Sequence, residues 1–361
     1  MADTTAATGL TPQQWGDEFF VEYIQNHPFK AYMGKDENSI FQVKEDLTVK
    51  KGNKVTFALV NRLVGDGVTG TATMEGNEES MESRSFGVTV AKRRNAVRVA
   101  EQEEQYSAIG LREAAKPVLR TWADEKDIDR IYRALYSING VAYASASEAQ
   151  KDAWLVDNAD RVLFGAAKSN NSSNDHSASL LNIDNTTDKL TPGALSLMKR
   201  MAFTATPKIR PLRLAGMNKR YLVAFAHPLC FRDLKLNTTL IEAQRTVVLE
   251  NQNNKLFQGG DLEWDGIIVH ECDGMPTLTG VGNGGIDVGA VFLCGAQALG
   301  MGVARRWRSK QEEFDYGDKL GVEISAIDGL EKMLFGSGTG DTDDLKQHGV
   351  VTGYFAAVAD S

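Results

Sequence analysis

Apolar and polar residues alternate from Lys54 onward. Val55, Phe57, Leu59 and Leu63 are interleaved with Lys54, Thr56, Ala58 and Arg62, the period of two that a half-buried strand imposes. A second run, Phe86 to Ala100, is rich in β-branched residues (Val88, Thr89, Val90, Val97, Val99) and is interrupted by Lys92, Arg93 and Arg94. The Gly- and Glu-rich segment Gly65 to Ser85 separates them. The pattern predicts a long two-stranded ribbon whose second strand, at about 3.3 Å per residue, reaches roughly 45 Å. A two-stranded ribbon is marginal on its own in water, and no covering segment lies nearby in sequence. Its apolar side is therefore expected to lie on another copy of the chain.

The period then changes. Ile109, Leu111, Ala115, Val118, Leu119, Trp122, Ile128, Ile131, Tyr132 and Leu135 recur at spacings of three and four, predicting one long helix over Gln105 to Tyr136, bent at Pro117. Upstream, Trp15, Phe19, Phe20, Tyr23 and Ile24 form the apolar stripe of a short helix over Pro12 to Gln25, which ends at Asn26-His27-Pro28. Ile40 to Val49 reads as extended. Residues from Ser137 to Lys189 are less regular, with a loop at Lys168 to His176. Thr191-Pro192 starts a helix with a hydroxyl cap and proline in the first turn. Tyr221 to Ala226 reads as a strand, with helices following at Pro228 and over Thr238 to Glu250. Strands follow at Ile267 to Val269, Val291 to Cys294, Leu320 to Ile327 and Val350 to Ala357. The fold class is α+β.

Composition narrows the reading. A chain of 361 residues, 42% hydrophobic and 24% charged, is long enough for two or three domains. A net charge of −8 argues against a dedicated nucleic-acid binder. Three widely spaced cysteines, Cys230, Cys272 and Cys294, fit free thiols in a reducing compartment. Met1 to Pro12 carries no secretory signal pattern, and Val291 to Ala304 is too short and Gly-rich to cross a bilayer. A soluble cytosolic protein without membrane association is expected.

Candidate chemistry is thin. Gly65, Gly67 and Gly70, and again Gly280, Gly282 and Gly285, match the spacing of a dinucleotide loop, but neither set opens a helix with an acid about 20 residues on. Asp261, Glu263, Asp265 and Gly266 begin like a calcium loop that ends on Cys272 instead of a glutamate. His270 and Cys272 share a strand face without two further zinc ligands fixed by sequence. Asp124, Glu125, Asp127 and Asp129 read as a solvated helix face. No catalytic residue, metal or cofactor is expected.

Two basic clusters remain, Lys92-Arg93-Arg94 and Arg305 to Lys310, each with acids close by. The ribbon's far end is acidic (Glu75, Glu78, Glu79, Glu82) and its root basic. Opposite signs at tip and base favour head-to-tail contact between identical copies, the geometry that generates rings.

Arm, charged ribbon, long helix and mixed α/β body, in that order, resemble the major capsid proteins of tailed phages of the Hong Kong 97 (HK97) type. Leu293 to Leu299, Phe314 to Gly317, Ile327 to Met333 and Gly349 to Val351 look similar to the closing strands of one branch, and Leu256 to Gly260 through Gly266 to Val269 to its axial region. The resemblance implies an N-terminal arm (1–49), an E-loop hairpin (50–100), a peripheral domain (101–217) with spine helix 105–136, an axial domain (218–310), and C-terminal strands (311–361) returning to the peripheral domain. It implies a virion protein assembling with itself into pentamers and hexamers around double-stranded DNA. Phe57, Leu59, Glu75, Glu78, Glu79, Glu82, Val88, Lys92, Arg93 and Arg94 would make E-loop contacts, and Trp15, Phe19, Phe20 and Tyr23 arm contacts. Because the chain starts almost at its arm, a separate scaffolding protein is expected, with a portal and a decoration protein as further partners. A cellular nanocompartment shell of encapsulin type, and a metal-dependent hydrolase using His270, are the alternatives.

Overall fold

A computed structural model describes residues 29–48, 52–60, 63–81 (except 64, 66, 71, 72 and 80), 83–107, 111–213, 220–246, 262–337 and 341–360. The expected arm helix, with Trp15, Phe19, Phe20 and Tyr23, and Glu82 of the ribbon lie outside these residues. The strands are β1 (Met33–Gly34), β2 (Phe41–Lys44), β3 (Lys54–Val60), β4 (Ser83–Thr89), β5 (Ala91–Ala100), β6 (Val162–Phe164), β7 (Leu212–Arg213) and β8 (Arg220–Ala226). They continue with β9 (Leu262–Trp264), β10 (Ile267–Glu271), β11 (Val288–Cys294), β12 (Leu299–Phe314), β13 (Lys319–Lys332), β14 (Leu334–Ser337), β15 (Asp343–Gln347) and β16 (Val350–Ala356). The helices are α1 (Glu101–Tyr106), α2 (Leu111–Tyr136), α3 (Glu148–Asp157), α4 (His176–Leu181), α5 (Pro192–Thr204), α6 (Pro228–Lys235) and α7 (Thr238–Thr246).

Two sheets organise the body. A five-stranded sheet has the order β1-β2-β12-β13-β5, its last three strands antiparallel. A seven-stranded sheet runs β6-β16-β11-β8-β10-β9, with β7 attached to β8. Its central strands are buried on both faces: Leu222 and Ala224 of β8, Val291 and Leu293 of β11, and Val351 and Phe355 of β16 pack on α5 and α6. Val223, Phe225, Phe292 and Tyr354 enter the opposite core. Such strands read as continuous apolar runs, which is why they were legible. Thr191 caps α5 through Ala194 N–H, as its sequence promised.

Helix α2 joins the two sheets. Leu119 and Ala123 lie on Trp307, Val322, Ile324 and Ala326 of the five-stranded sheet, while Ile131, Tyr132, Leu135 and Tyr136 enter the core of the other. The tyrosine hydroxyls donate to the Asp273 and Pro276 carbonyls at 3.0 and 2.7 Å. The helix continues through Pro117, which cannot donate to the carbonyl four residues back. Its expected start is corrected: α1 ends at Tyr106, and α2 begins at Leu111.

Three further expectations change. The loop expected over Lys168 to His176 is found over 168–175, with a 3-10 turn at Lys168–Asn170, and ends one residue early because Asp175 caps α4 by accepting from Ala178 N–H at 2.8 Å. The cluster Arg305 to Lys310 lies inside β12 rather than after a strand, and β12 pairs with β13 along its length apart from two register shifts. The grouping 218–310 and 311–361 is also not the sheet order, since β16 pairs with β11 and β6, whereas β12 and β13 belong to the other sheet.

Candidate assembly surface

Lys54–Val60 pairs with Ser83–Thr89 over seven residues, from Lys54 opposite Thr89 to Val60 opposite Ser83. At Val90, whose N–H donates to Asn53 O, the chain turns away and Ala91–Ala100 joins the five-stranded sheet beside β13. The hairpin is thus shorter than the alternation alone suggests. Its second run serves two sheets.

The hairpin's apolar side is covered by its own chain. Val55, Phe57 and Val88 are buried with Met333 and Phe335, and Phe86 meets Phe335 edge-on. This corrects the assignment of Phe57 and Val88 to an intersubunit contact, and the expectation that a second copy must cover this side. The covering residues lie about 245–280 positions further on, beyond the reach of local pattern reading. Burying each such side chain contributes about 1.5–3 kcal/mol.

Close approach explains the glycines beneath it. A Cβ on Gly300 would stand 3.0 Å from Phe57 Cε2, and one on Gly302 2.8 Å from Val55 Cγ2. On Gly329 it would stand 2.2 Å from the Thr89 carbonyl oxygen. Glycine at alternate strand positions marks such a slot, and Gly300-Met301-Gly302 is the signal that sequence reading missed.

From this root the hairpin runs outward along the chain's own surface. Val88 lies at Gly329 and Phe86 at Phe335. Arg84 donates to the Gly336 carbonyl at 2.7 Å, and the Ser85 N–H to Asp341 Oδ2 at 2.7 Å. Beyond this point Val60, Leu63, Met74 and Met81 are exposed, as are Glu75, Glu78 and Glu79. Leu59 is half-buried. The Glu78 carboxylate accepts from Gly76 N–H, and that of Glu79 from Gly65 N–H.

The basic root divides. Lys92 and Arg94 are exposed, but Arg93 points the other way, into a buried ion cluster. Its guanidinium makes two bonds to Asp328, at 2.9 and 2.6 Å, and one to Asp127 at 2.5 Å. Arg130 reaches Asp328 at 2.8 Å, and Trp307 Nε1–H donates to Asp127 at 3.4 Å. Arg93 also lies over the Trp307 ring. Arg93 is therefore an internal tie between β5, α2 and β13, not an intersubunit contact. Nor is Asp127 on a solvated face: it falls in the line Leu119, Ala123, Asp127, Ile131, a spacing of four within the apolar stripe, which could have revealed it. Desolvation by burial, with the like charge of Asp328, pushes Asp127 up to about 7 against the pull of Arg130. Burial raises Asp328 as well, but the Arg93 and Arg130 bonds hold it below the usual carboxylate range.

The alternative chemistries find little support in the geometry. His270 is bonded to the Tyr32 hydroxyl and stacked on Phe225. Among the described residues, the one acid cluster with metal-like spacing is Glu148, Asp152 and Asp175, which does not include His270. Those three carboxylates accept the N–H groups of Ser177, His176 and Ala178, respectively, and so cap α4. Asp265 and Gly266, both at positive φ, form the turn between β9 and β10, where Asp265 pairs with Lys199. Gly280, Gly282 and Gly285 lie in the loop before β11.

The phage capsid protein family model matches residues 3–359. The major capsid protein of Pseudomonas phage KPP25 is 29% identical over 376 residues, covering 96% of each chain. In structure, the chain superposes on the capsid asymmetric unit of cyanophage Pam1 with a TM-score of 0.81, 31% identity and complete coverage of both chains. The capsid of Ralstonia phage GP4, at 18% identity, shares the fold with a TM-score of 0.73 over 100% of this chain and 96% of that one. With its α+β architecture of HK97 type matched from end to end, this chain belongs to the phage capsid protein family.

Proposed function

We propose that the chain is the major capsid protein of a tailed phage, self-assembling into pentamers and hexamers that close an icosahedral shell around double-stranded DNA. The five-stranded sheet with α2 as spine is the peripheral domain, the seven-stranded sheet with its helices the axial domain, and the β3–β4 hairpin the E-loop. The observation that carries this reading is the two-part hairpin. Its root is keyed into the subunit body, while beyond it the described residues Leu63, Met74, Glu75, Glu78, Glu79 and Met81 expose acids and apolar side chains that the body does not cover. A rigid root with an uncovered tip suits a subunit that completes its surface on a neighbour. Scaffolding, portal and decoration proteins are the further partners proposed, and contact with DNA is non-specific, consistent with the net charge of −8.

Electron microscopy of the purified protein tests the proposal. Closed shells of uniform size are expected, and deletion of residues 65–85 should leave a folded subunit that closes none. Normal shells from the deletion variant would refute the role given to the hairpin. A wild-type protein that stays monomeric at high concentration, with any scaffolding partner supplied, would refute the shell itself. Enzyme cargo in place of nucleic acid inside shells from the native host would favour a nanocompartment.

A further inference from the structure

Helix α2 buries a row of residues four apart, and the row changes core midway. Leu119 and Ala123 lie on the five-stranded sheet, Ile131 enters the other core, and Asp127 falls between them. At this gap a half-open cavity of about 290 Å³ lies between the helix, the segment 30–45 and strands β12 and β13. Its walls are largely apolar, formed by Met33, Val43, Met301, Val303, Ala326 and Trp307. Val43, Met301 and Val303 join none of the four apolar cores that the described residues form. The volume equals that of roughly ten waters at about 30 Å³ each, and a water is well held only with two to four polar partners. The apolar walls offer little beyond the indole N–H, which already donates to Asp127. Replacing loosely held water by an apolar body favours binding.

Charge narrows the ligand further. Two carboxylates line the cavity on the side of α2 and β13, Asp127 and Asp328. Asp328 is fully engaged by Arg93 and Arg130. Asp127 is less so: Arg93 bonds Oδ1 at 2.5 Å, whereas Oδ2 takes the indole N–H at a long 3.4 Å. On the other side Lys35 and Arg306 share Glu45, and Lys30 and Arg305 complete the lining. An ammonium would therefore join four lysines and arginines set against three acids. A carboxylate would be laid against Asp127 and Asp328. A neutral hydroxyl escapes both penalties and can bond Oδ2. The two methionines favour an aromatic body, since thioether sulfur packs well at a ring edge.

We propose that this cavity binds a small phenol, its ring among Met33, Met301 and Trp307 and its hydroxyl bonded to Asp127 Oδ2. Burial pushes Asp127 up to about 7, so both of its protonation states are present at neutral pH. A phenolic hydroxyl suits either, accepting from the acid and donating to the carboxylate. The inference is independent of the shell reading, because one subunit supplies every residue of the site.

Fluorine NMR and calorimetry on the unassembled full-length subunit at neutral pH test it. The probe is 4-fluorophenol, compared with fluorobenzene, 4-fluorobenzylamine and 4-fluorobenzoate. The phenol should bind with a dissociation constant of about 1 mM or below, and about tenfold more tightly than fluorobenzene, which lacks the hydrogen bond. Met301→Trp should fill the cavity and weaken phenol binding about tenfold or more. Val43→Phe, from the position paired with Met301 on the neighbouring strand, should do the same, and circular dichroism checks both folds. Asp127→Leu should erase the preference for phenol over fluorobenzene while fluorobenzene still binds. Lack of saturable phenol binding by wild type would overturn the inference, as would equal binding of fluorobenzene or tighter binding of the amine or the acid. Undiminished binding by either folded cavity-filling variant would place the phenol elsewhere and overturn it too.

Discussion

The two carboxylates of the buried cluster should respond oppositely to the same substitution. Asp328 takes two of the three Arg93 bonds and one from Arg130. Asp127 has one Arg93 bond, with Arg130 3.6 Å away, and the like charge of Asp328 beside it. A rise in Asp127 from 3.8 to about 7 corresponds to about 4 kcal/mol disfavouring the ionised over the protonated acid. The folded state therefore holds a proton that the unfolded state releases above pH 4. That stabilising contribution is complete below pH 4 and is lost as pH rises through 7. Asp127→Asn keeps the neutral form at every pH, so the difference in unfolding free energy, wild type minus variant, should fall by about 1.4 kcal/mol per pH unit between roughly 4.5 and 6.5.

Taking the difference matters because other groups titrate nearby. Burial holds His176 and His348 down to about 4 and Lys332 down to about 7. Their contributions grow with rising pH, the histidines between about 4 and 6.5 and the lysine above 7, and they cancel in the subtraction. Asp328→Asn should instead cost about 3 kcal/mol at pH 7, since it leaves the half-buried Arg93 and Arg130 with one poorly ionised partner. Urea unfolding of the unassembled subunit at half-unit pH intervals measures both. A difference for Asp127→Asn that is flat or rising over pH 4.5–7.5 would refute the reasoning.

Other consequences are simpler. Gly329→Ala, whose Cβ would meet the Thr89 carbonyl, should undock the hairpin and expose residues 52–90 to limited proteolysis while the midpoint for the body shifts little. Phe57→Ala should cost about 3–5 kcal/mol of local stability, read as faster amide exchange over 54–60 and 83–89. Cys230 and Cys294 are buried with their thiols pushed well above the ordinary value by desolvation, so they should resist a thiol reagent until the protein unfolds. Thr191→Ala, removing the hydroxyl that accepts from Ala194 N–H, should cost about 1 kcal/mol in thermal unfolding.

What could be read in advance follows from how local each cause is. The caps of α5 and α6 and the doubly buried strands β8, β11 and β16 announce themselves within a few residues. The hairpin was visible for the same reason, since period-two alternation needs only one strand and its turn. Its covering was not, because Met333 and Phe335 become neighbours of Phe57 only when β13 and β14 fold back across the sheet. Strand β12 was not predicted, because glycines and four closely spaced cations look like a loop, although the glycines make room for the hairpin and the cations line a solvent face. Arg93 and Arg94 differ by one position and by everything else. Period two puts one in the core and its neighbour in water, so a cluster of like residues on a strand cannot be assigned one role.

The keyed root also sets the geometry of assembly. A hairpin arm of seven residues spans roughly 24 Å at about 3.4 Å per residue. A tilt of only about 5° at Gly329 would then move its outer end by about 2 Å, enough to turn a salt bridge into a solvent-separated pair. Because a heterologous ring must return to its starting point, each joint repeats the same error. Small residues at positions 300, 302 and 329 therefore matter for more than subunit stability. In Gly300→Ala, where the clash is with the movable rings and methyls of Phe57 and Met333, the subunit should fold almost as well as wild type and still give shells of altered size or yield. Shells indistinguishable from wild type by electron microscopy, from a variant whose hairpin tilt has changed, would show that the angle at the root is not what fixes closure.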